Sequence, residues 1–138
     1  MQSSIRSVSK RALWAGRIIS ALPILFLLMD ATMKFVKPGP VVEATLKVGY
    51  SEATIIPLGV VLLCCTALYA IPQTSVLGAI LLTGYLGGAV ATHVRVGDPL
   101  PTHTLFPVYL GILIWLGLYL RDNRLRALIP IRKPQSIT

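Results

Sequence analysis

The sequence predicts an all-α membrane protein, an antiparallel bundle of four transmembrane helices. Three observations predict it. Of the 138 residues, 54% are hydrophobic and 13% are charged, where a soluble domain carries about 25% charged residues. Forty consecutive residues, Ala53 to Thr92, hold no formal charge. A helix crosses the hydrocarbon in about 20 residues, so that stretch contains two spans. Finally, the 13 Lys and Arg residues outnumber the five acids, yet they flank apolar runs instead of lining a polar face. This placement argues against nucleic acid and for anionic lipid head groups as the partner of the charge.

The first span is expected at residues 13–35. Its centre is the uncharged run Ile18 to Met29, preceded by Arg6, Lys10, Arg11 and Arg17. A basic start before an apolar run also fits a cleaved signal peptide. No small-residue cleavage site follows, and Asp30 and Lys34 continue the helical pattern, so the span reads as retained. Arg17 and Lys34 then snorkel to opposite surfaces, and Pro23 predicts a kink in the helix interior. The second and third spans, 54–71 and 75–93, are divided by Ile71-Pro72-Gln73-Thr74-Ser75, which reads as helix end, turn and N-cap. The fourth span is 104–120, stopped by Arg121 and Asp122 ahead of a basic cytoplasmic tail, 121–138. Pro57 and Pro107 fall in first turns, where proline is tolerated.

Positive-inside counting sets the orientation. The N-terminal segment, the turn at 71–75 and the C-terminal tail together carry nine Lys/Arg, while the loops 36–53 and 94–103 and the end of span one carry four. Both termini are therefore expected in the cytoplasm, in a multi-pass protein of the inner (plasma) membrane. Trp14, Tyr69 and Tyr119 fall near the inner interface, where aromatic anchors belong.

Polar groups inside spans need a reason, because an unpaired charge in hydrocarbon costs several kcal/mol. Asp30 and Lys34 stand four apart, acid before base, and predict an i,i+4 ion pair near the outer end. Glu43, Glu52, His93, Arg95, Asp98 and His103 gather at that same end. For Glu43, Asp98 and His103 the plain reading is solvated loop. If helix three continues past His93, that residue and Arg95 project about 200° apart, and Arg95 extends the Gly84/Gly88/Ala91 stripe, which favours Arg95 as the inward one. The stripe itself predicts a close-packing face, read as internal packing ahead of a homodimer seam. A carboxylate, a cation and an imidazole around a half-buried mouth fit a polar head group, proton exchange with a quinone, or an acidic partner segment. The vicinal Cys64 and Cys65 diverge by about 100° on a helix and read as packing residues. His93 and His103, ten apart across Gly97, Pro99 and Pro101, lack an i,i+4 ligand spacing, and no metal site is expected. No nucleophile elbow or phosphate loop is present.

Four stretches resemble the DoxX-like family of small four-helix membrane proteins. They are Trp14-Ala15-Gly16-Arg17, the run Leu28 to Phe35 containing Asp30 and Lys34, the run Gly78 to Arg95, and Phe106-Pro107 with Gly111 and Trp115. The resemblance covers most of the chain and implies its fold. It also implies two roles: a membrane subunit of sulfur-compound oxidation that hands electrons to quinone, or a partner of oxidative-stress enzymes, and, through a more distant relative, an assembly chaperone for membrane receptors. Asp30, Lys34, His93 and Arg95 are the matching polar positions. The expected function is thus an accessory redox-linked subunit with an outward-opening pocket for a quinone, a lipid or another amphipathic ligand. Asp30 and Lys34 form its floor, and His93 and Arg95 its rim. The alternative is a non-catalytic assembly module that binds another membrane protein.

Overall fold

The computed structural model describes residues 7–129; Arg6, Arg132 and Lys133, and the tail beyond residue 129, lie outside them. Helix α1 runs Lys10–Val36 and is capped by Ser9, whose Oγ accepts the Ala12 N–H at 3.2 Å. It is one continuous helix through the buried Pro23, and it ends at Lys37, where φ of 52° turns the chain out. Helix α3 spans Ile55–Ala70, α4 spans Ser75–Val96 and α5 spans Phe106–Arg121. A 3-10 turn, Glu52–Thr54, leads into α3, and a π-helical turn, Leu100–Thr104, leads into α5. Among the described residues, four helical segments are long and apolar enough to cross a membrane, Lys10–Val36, Glu52–Ala70, Ser75–Val96 and Leu100–Arg121.

Two short helices complete the described chain. Helix α2, Gly39–Lys47, occupies the expected loop 36–53. Proline in its first turn presets a helical φ where the missing N–H is not needed. Helix α6, Asn123–Leu128, follows Asp122, whose Oδ1 accepts the N–H groups of Arg124 and Leu125. It buries Leu125 and lets Arg126 cap the last carbonyls of α5.

The four spans pack as a square: α1 lies against α3 and α5, and α4 against α3 and α5. Leu27, Leu62, Leu82, Ile114 and Leu118 fill the centre, while Leu22, Leu25, Ile80 and Ile112 point outward into what the apolar surface marks as lipid. Lipid tails are as apolar as leucine, so helix association rests on close approach and internal hydrogen bonds. Close approach occurs at Gly16, where an added Cβ would lie 2.8 Å from the Gly117 carbonyl oxygen and 3.0 Å from Arg121 Cβ. Gly117 in turn faces Ser20, Gly59 faces Lys34, and Gly78 lies on the backbone of Tyr69. The small-residue face expected to pack at Gly84, Gly88 and Ala91 is not such a contact, since a Cβ at Gly84 or Gly88 meets open space.

Tyr69 also departs from its expectation. It is fully buried instead of anchoring at the interface. Its hydroxyl donates to the Ile114 carbonyl at 2.7 Å and lies 3.1 Å from Ser20 Oγ, tying α3 to α5 and α1. The turn after α3 is stitched by hydroxyls that donate backward: Thr74 Oγ1 to Leu68 O at 2.7 Å, and Ser75 Oγ to Tyr69 O and Ile71 O at 2.9 Å. These satisfy the carbonyls that a helix C-terminus leaves open.

Candidate functional site

A cavity of about 580 Å³ opens at the end of the bundle that carries α2. Its walls come from α1 (Phe26, Leu27), α4 (Tyr85, Leu86) and α5 (Phe106, Leu110), with α2 across it through Val41, Ala44 and Thr45. The Phe26 and Phe106 rings meet edge to face at 5.0 Å and close one side. Because Gly84 and Gly88 lack side chains, α4 leaves this space unfilled, and both glycines line it.

The polar groups sit at one rim. Lys34 Nζ and Asp30 Oδ2 pair at 2.6 Å, one helical turn apart, with side-chain exposures of 18% and 37%. Thr92 and His93 face them from α4. Thr92 Oγ1 donates to the Gly88 carbonyl at 2.8 Å, which leaves it to accept the Tyr50 hydroxyl at 3.1 Å. Gly97, at φ of 73°, reverses the chain after α4, so that Asp98 returns to His93: Oδ2 lies 2.7 Å from Nδ1. This hydrogen bond, and then Lys47 at 3.7 Å, hold the Asp98 carboxyl below its ordinary value.

Asp30, Lys34 and His93 thus line one cavity, while Arg95 is not among its lining residues. Helix α4 does continue past His93, and Arg95 projects toward the α2–α3 connection, where Nη2 donates to the Val48 carbonyl at 2.6 Å and the guanidinium lies 6.0 Å from the Tyr50 ring. Arg95 therefore holds the segment after α2 in place over the mouth. Lys37 with Glu52 at 3.4 Å and Lys47 with Asp98 hold the same segment from its other sides. The His103 ring sits 6.2 Å from that of His93, with Nδ1 bonded to Thr102 Oγ1. Among the described residues, no three His, Cys, Asp or Glu side chains come together as a metal site.

Sequence reasoning passed over Phe26, Tyr50, Tyr85, Thr92 and Phe106 as site residues, and read Asp98 as solvated loop. Tyr85, Gly88 and Thr92 stand at positions i, i+3 and i+7, which places them on one helical face, and that spacing was the available signal. Asp98 carried a weaker one, a carboxylate one residue after a glycine suited to end a helix. A second, almost wholly apolar trough of about 370 Å³ lies between α4 and α5, along Gly87, Val90, Gly111 and Ile112. Trp115 Nε1 donates to Thr83 Oγ1 at 2.8 Å at one end of it.

The lining is mostly apolar, with Asp30, Lys34, Thr45, Tyr50, Tyr85, Thr92 and His93 as its polar members, a composition of the kind that small-molecule pockets have. No curated protein and no solved structure matches the chain significantly. The profile of the DoxX-like family matches residues 18–117, from within α1 to within α5; with four apolar spans among its described residues, the chain belongs to the DoxX-like family and is a multi-pass membrane protein.

Proposed function

We propose that the chain is an accessory redox-linked subunit of the inner membrane, and that it holds a quinone or a similar amphipathic molecule beneath α2. One observation carries the reading. The cavity is apolar along Phe26, Leu27, Leu86, Phe106 and Leu110 and polar at one rim, at Asp30, Lys34, Thr92 and His93. A flat ring with oxygens at its edge and an isoprenoid tail has that distribution of polarity. The distribution of Lys and Arg supports cytoplasmic termini, which places the rim on the outer side. The family's likeness to quinone-linked subunits supports the redox context, with an oxidoreductase as the partner that turns the ligand over.

Photo-crosslinking with an azido-quinone in native membranes tests this. Labelling should map to α1, α4 or α5 around Phe26 and Tyr85, compete with unlabelled quinone, and be lost in Gly88→Leu, which fills the cavity. Labelling that persists in Gly88→Leu, or that maps to the lipid-facing side of α5, sinks the reading.

The α4–α5 trough favours a second role, a non-catalytic assembly module in which another membrane protein's helix lies along Gly87 and Gly111. Its mark is a partner retained in mild detergent by Gly88→Leu and Asp30→Asn but released by Gly87→Leu or Gly111→Leu.

A further inference from the structure

We infer that Asp98 makes His93 a hydrogen-bond acceptor toward the cavity, so that the site prefers a ligand whose head carries a hydroxyl: the hydroquinone over the quinone. The inference rests on the proposed reading of the cavity and deepens it by naming the form of the ligand.

An ionised carboxylate has no proton to give and can only accept. Asp98 Oδ2 lies 2.7 Å from His93 Nδ1, so the hydrogen between them belongs to Nδ1. In the neutral imidazole one nitrogen carries the proton and the other a lone pair, which leaves Nε2 bare. This is the arrangement by which a carboxylate behind a histidine fixes its tautomer and orients its ring. His93 lines the cavity and is half-buried there.

The surroundings leave Nε2 as the acceptor free to meet a ligand. On α1, Lys34 gives one hydrogen to Asp30 Oδ2 at 2.6 Å, and its remaining donors serve either form of the ligand, since hydroxyl and carbonyl oxygens both accept. On α2, Lys47 lies 3.7 Å from the second Asp98 oxygen. On the π-helical turn, His103 holds Thr102 through its own Nδ1. Beside His93 on α4, Thr92 has given its proton to Gly88 and accepts from Tyr50. A hydroquinone hydroxyl donates to a bare Nε2, whereas a quinone carbonyl opposes lone pair to lone pair. An acceptor that the wrong ligand covers and leaves unpaired lowers affinity by about tenfold. Asp98 is thus a positioning residue: it touches no ligand and acts through His93.

The test compares decylubiquinol with decylubiquinone, titrated anaerobically into the full chain in lipid nanodiscs. The wild type should bind the quinol about tenfold tighter. In Asp98→Asn the amide NH2 can donate to Nδ1, which moves the ring proton to Nε2 and should cancel or reverse the preference; Asp98→Glu should keep its direction. Independently of any ligand and of how the variants fold, 15N shifts of histidine-labelled wild type should show Nδ1 protonated and Nε2 bare in neutral His93. Equal affinities for the two probes, a preference unchanged in Asp98→Asn, or a protonated Nε2 in the neutral ring would each overturn the inference while leaving the cavity reading standing. Failure of both probes to bind the wild type would overturn the quinone reading itself, and this inference with it.

Discussion

A hydroxyl in the middle of a bundle that faces lipid has no water to turn to, so it must find its partner within the protein. Tyr69 does so twice, at Ile114 O and Ser20 Oγ, and Arg121 lies over its ring at 5.2 Å. Tyr69→Phe keeps the ring and removes both bonds. It should destabilise the bundle by about 1 kcal/mol, read as a lower unfolding midpoint in mixed micelles; no change would mean that the hydroxyl is only tolerated. At the opposite end of the bundle the decisive single group is Asp98. Its folded carboxyl is held below its ordinary value, chiefly by the hydrogen bond to His93. A depressed acid stabilises the fold above its unfolded value and gives that contribution up as pH falls through the lower folded one. Protection factors of the α2 amides should therefore be flat at neutral pH and fall below about pH 4. In Asp98→Asn that step should vanish, and a step that survives would assign it to another carboxyl.

Among the elements, the glycines divide by what they face. Gly16 and Gly117 let α1 and α5 touch backbone to backbone, and an added methyl has nowhere to go. Gly16→Ala or Gly117→Ala should destabilise by about 1–3 kcal/mol through overpacking. Gly84→Ala and Gly88→Ala face open space and should leave stability unchanged or raise it by up to about 1 kcal/mol, the helix preference of alanine over glycine. The same unfolding assay separates the two pairs, and equal losses at Gly88 and Gly117 would place a helix contact at Gly88 that the fold does not show. This division was not legible in the sequence. Small-residue spacing identifies a face that permits close approach, but which neighbour takes it up depends on the square order α1–α3–α4–α5, a long-range property. The four spans were legible because their length and lack of charge follow directly from the thickness of the bilayer. Asp30 and Lys34 were legible as a pair because i,i+4 geometry is local. Helix α2 was missed because nine residues holding Pro40, with Pro38 just before them, read as a loop, although proline at a first turn is a start signal. His93 and Arg95 were both assigned to the rim, with Arg95 favoured as the inward one. One further turn of α4 put the imidazole in the cavity and sent the guanidinium to Val48 O.

At the scale of the whole molecule, the cavity and the charge asymmetry lie at opposite ends. The basic residues Lys10, Arg11, Arg17, Arg121, Arg124 and Arg126 cluster where α1 begins and α5 ends, and the acids Asp30, Glu43, Glu52 and Asp98 gather around α2. Juxtamembrane lysines and arginines are retained on the cytoplasmic side and attracted to its anionic lipids. If that rule governs here, the cavity mouth opens away from the cytoplasm, and a ligand exchanged there meets partners on the outer side. The orientation is therefore part of the functional argument. It can be read directly in a Cys64→Ala, Cys65→Ala background carrying one new cysteine, with a membrane-impermeant maleimide applied to intact cells. Ala44→Cys on α2 should label from outside, and Gln73→Cys in the α3–α4 turn only after permeabilisation. The reverse pattern would put the rim of Asp30, Lys34 and His93 in the cytoplasm, and any electron donor to a bound quinone would then have to be sought among cytoplasmic enzymes. Labelling of both positions from outside would indicate mixed insertion, and with it a charge bias too weak to set one orientation.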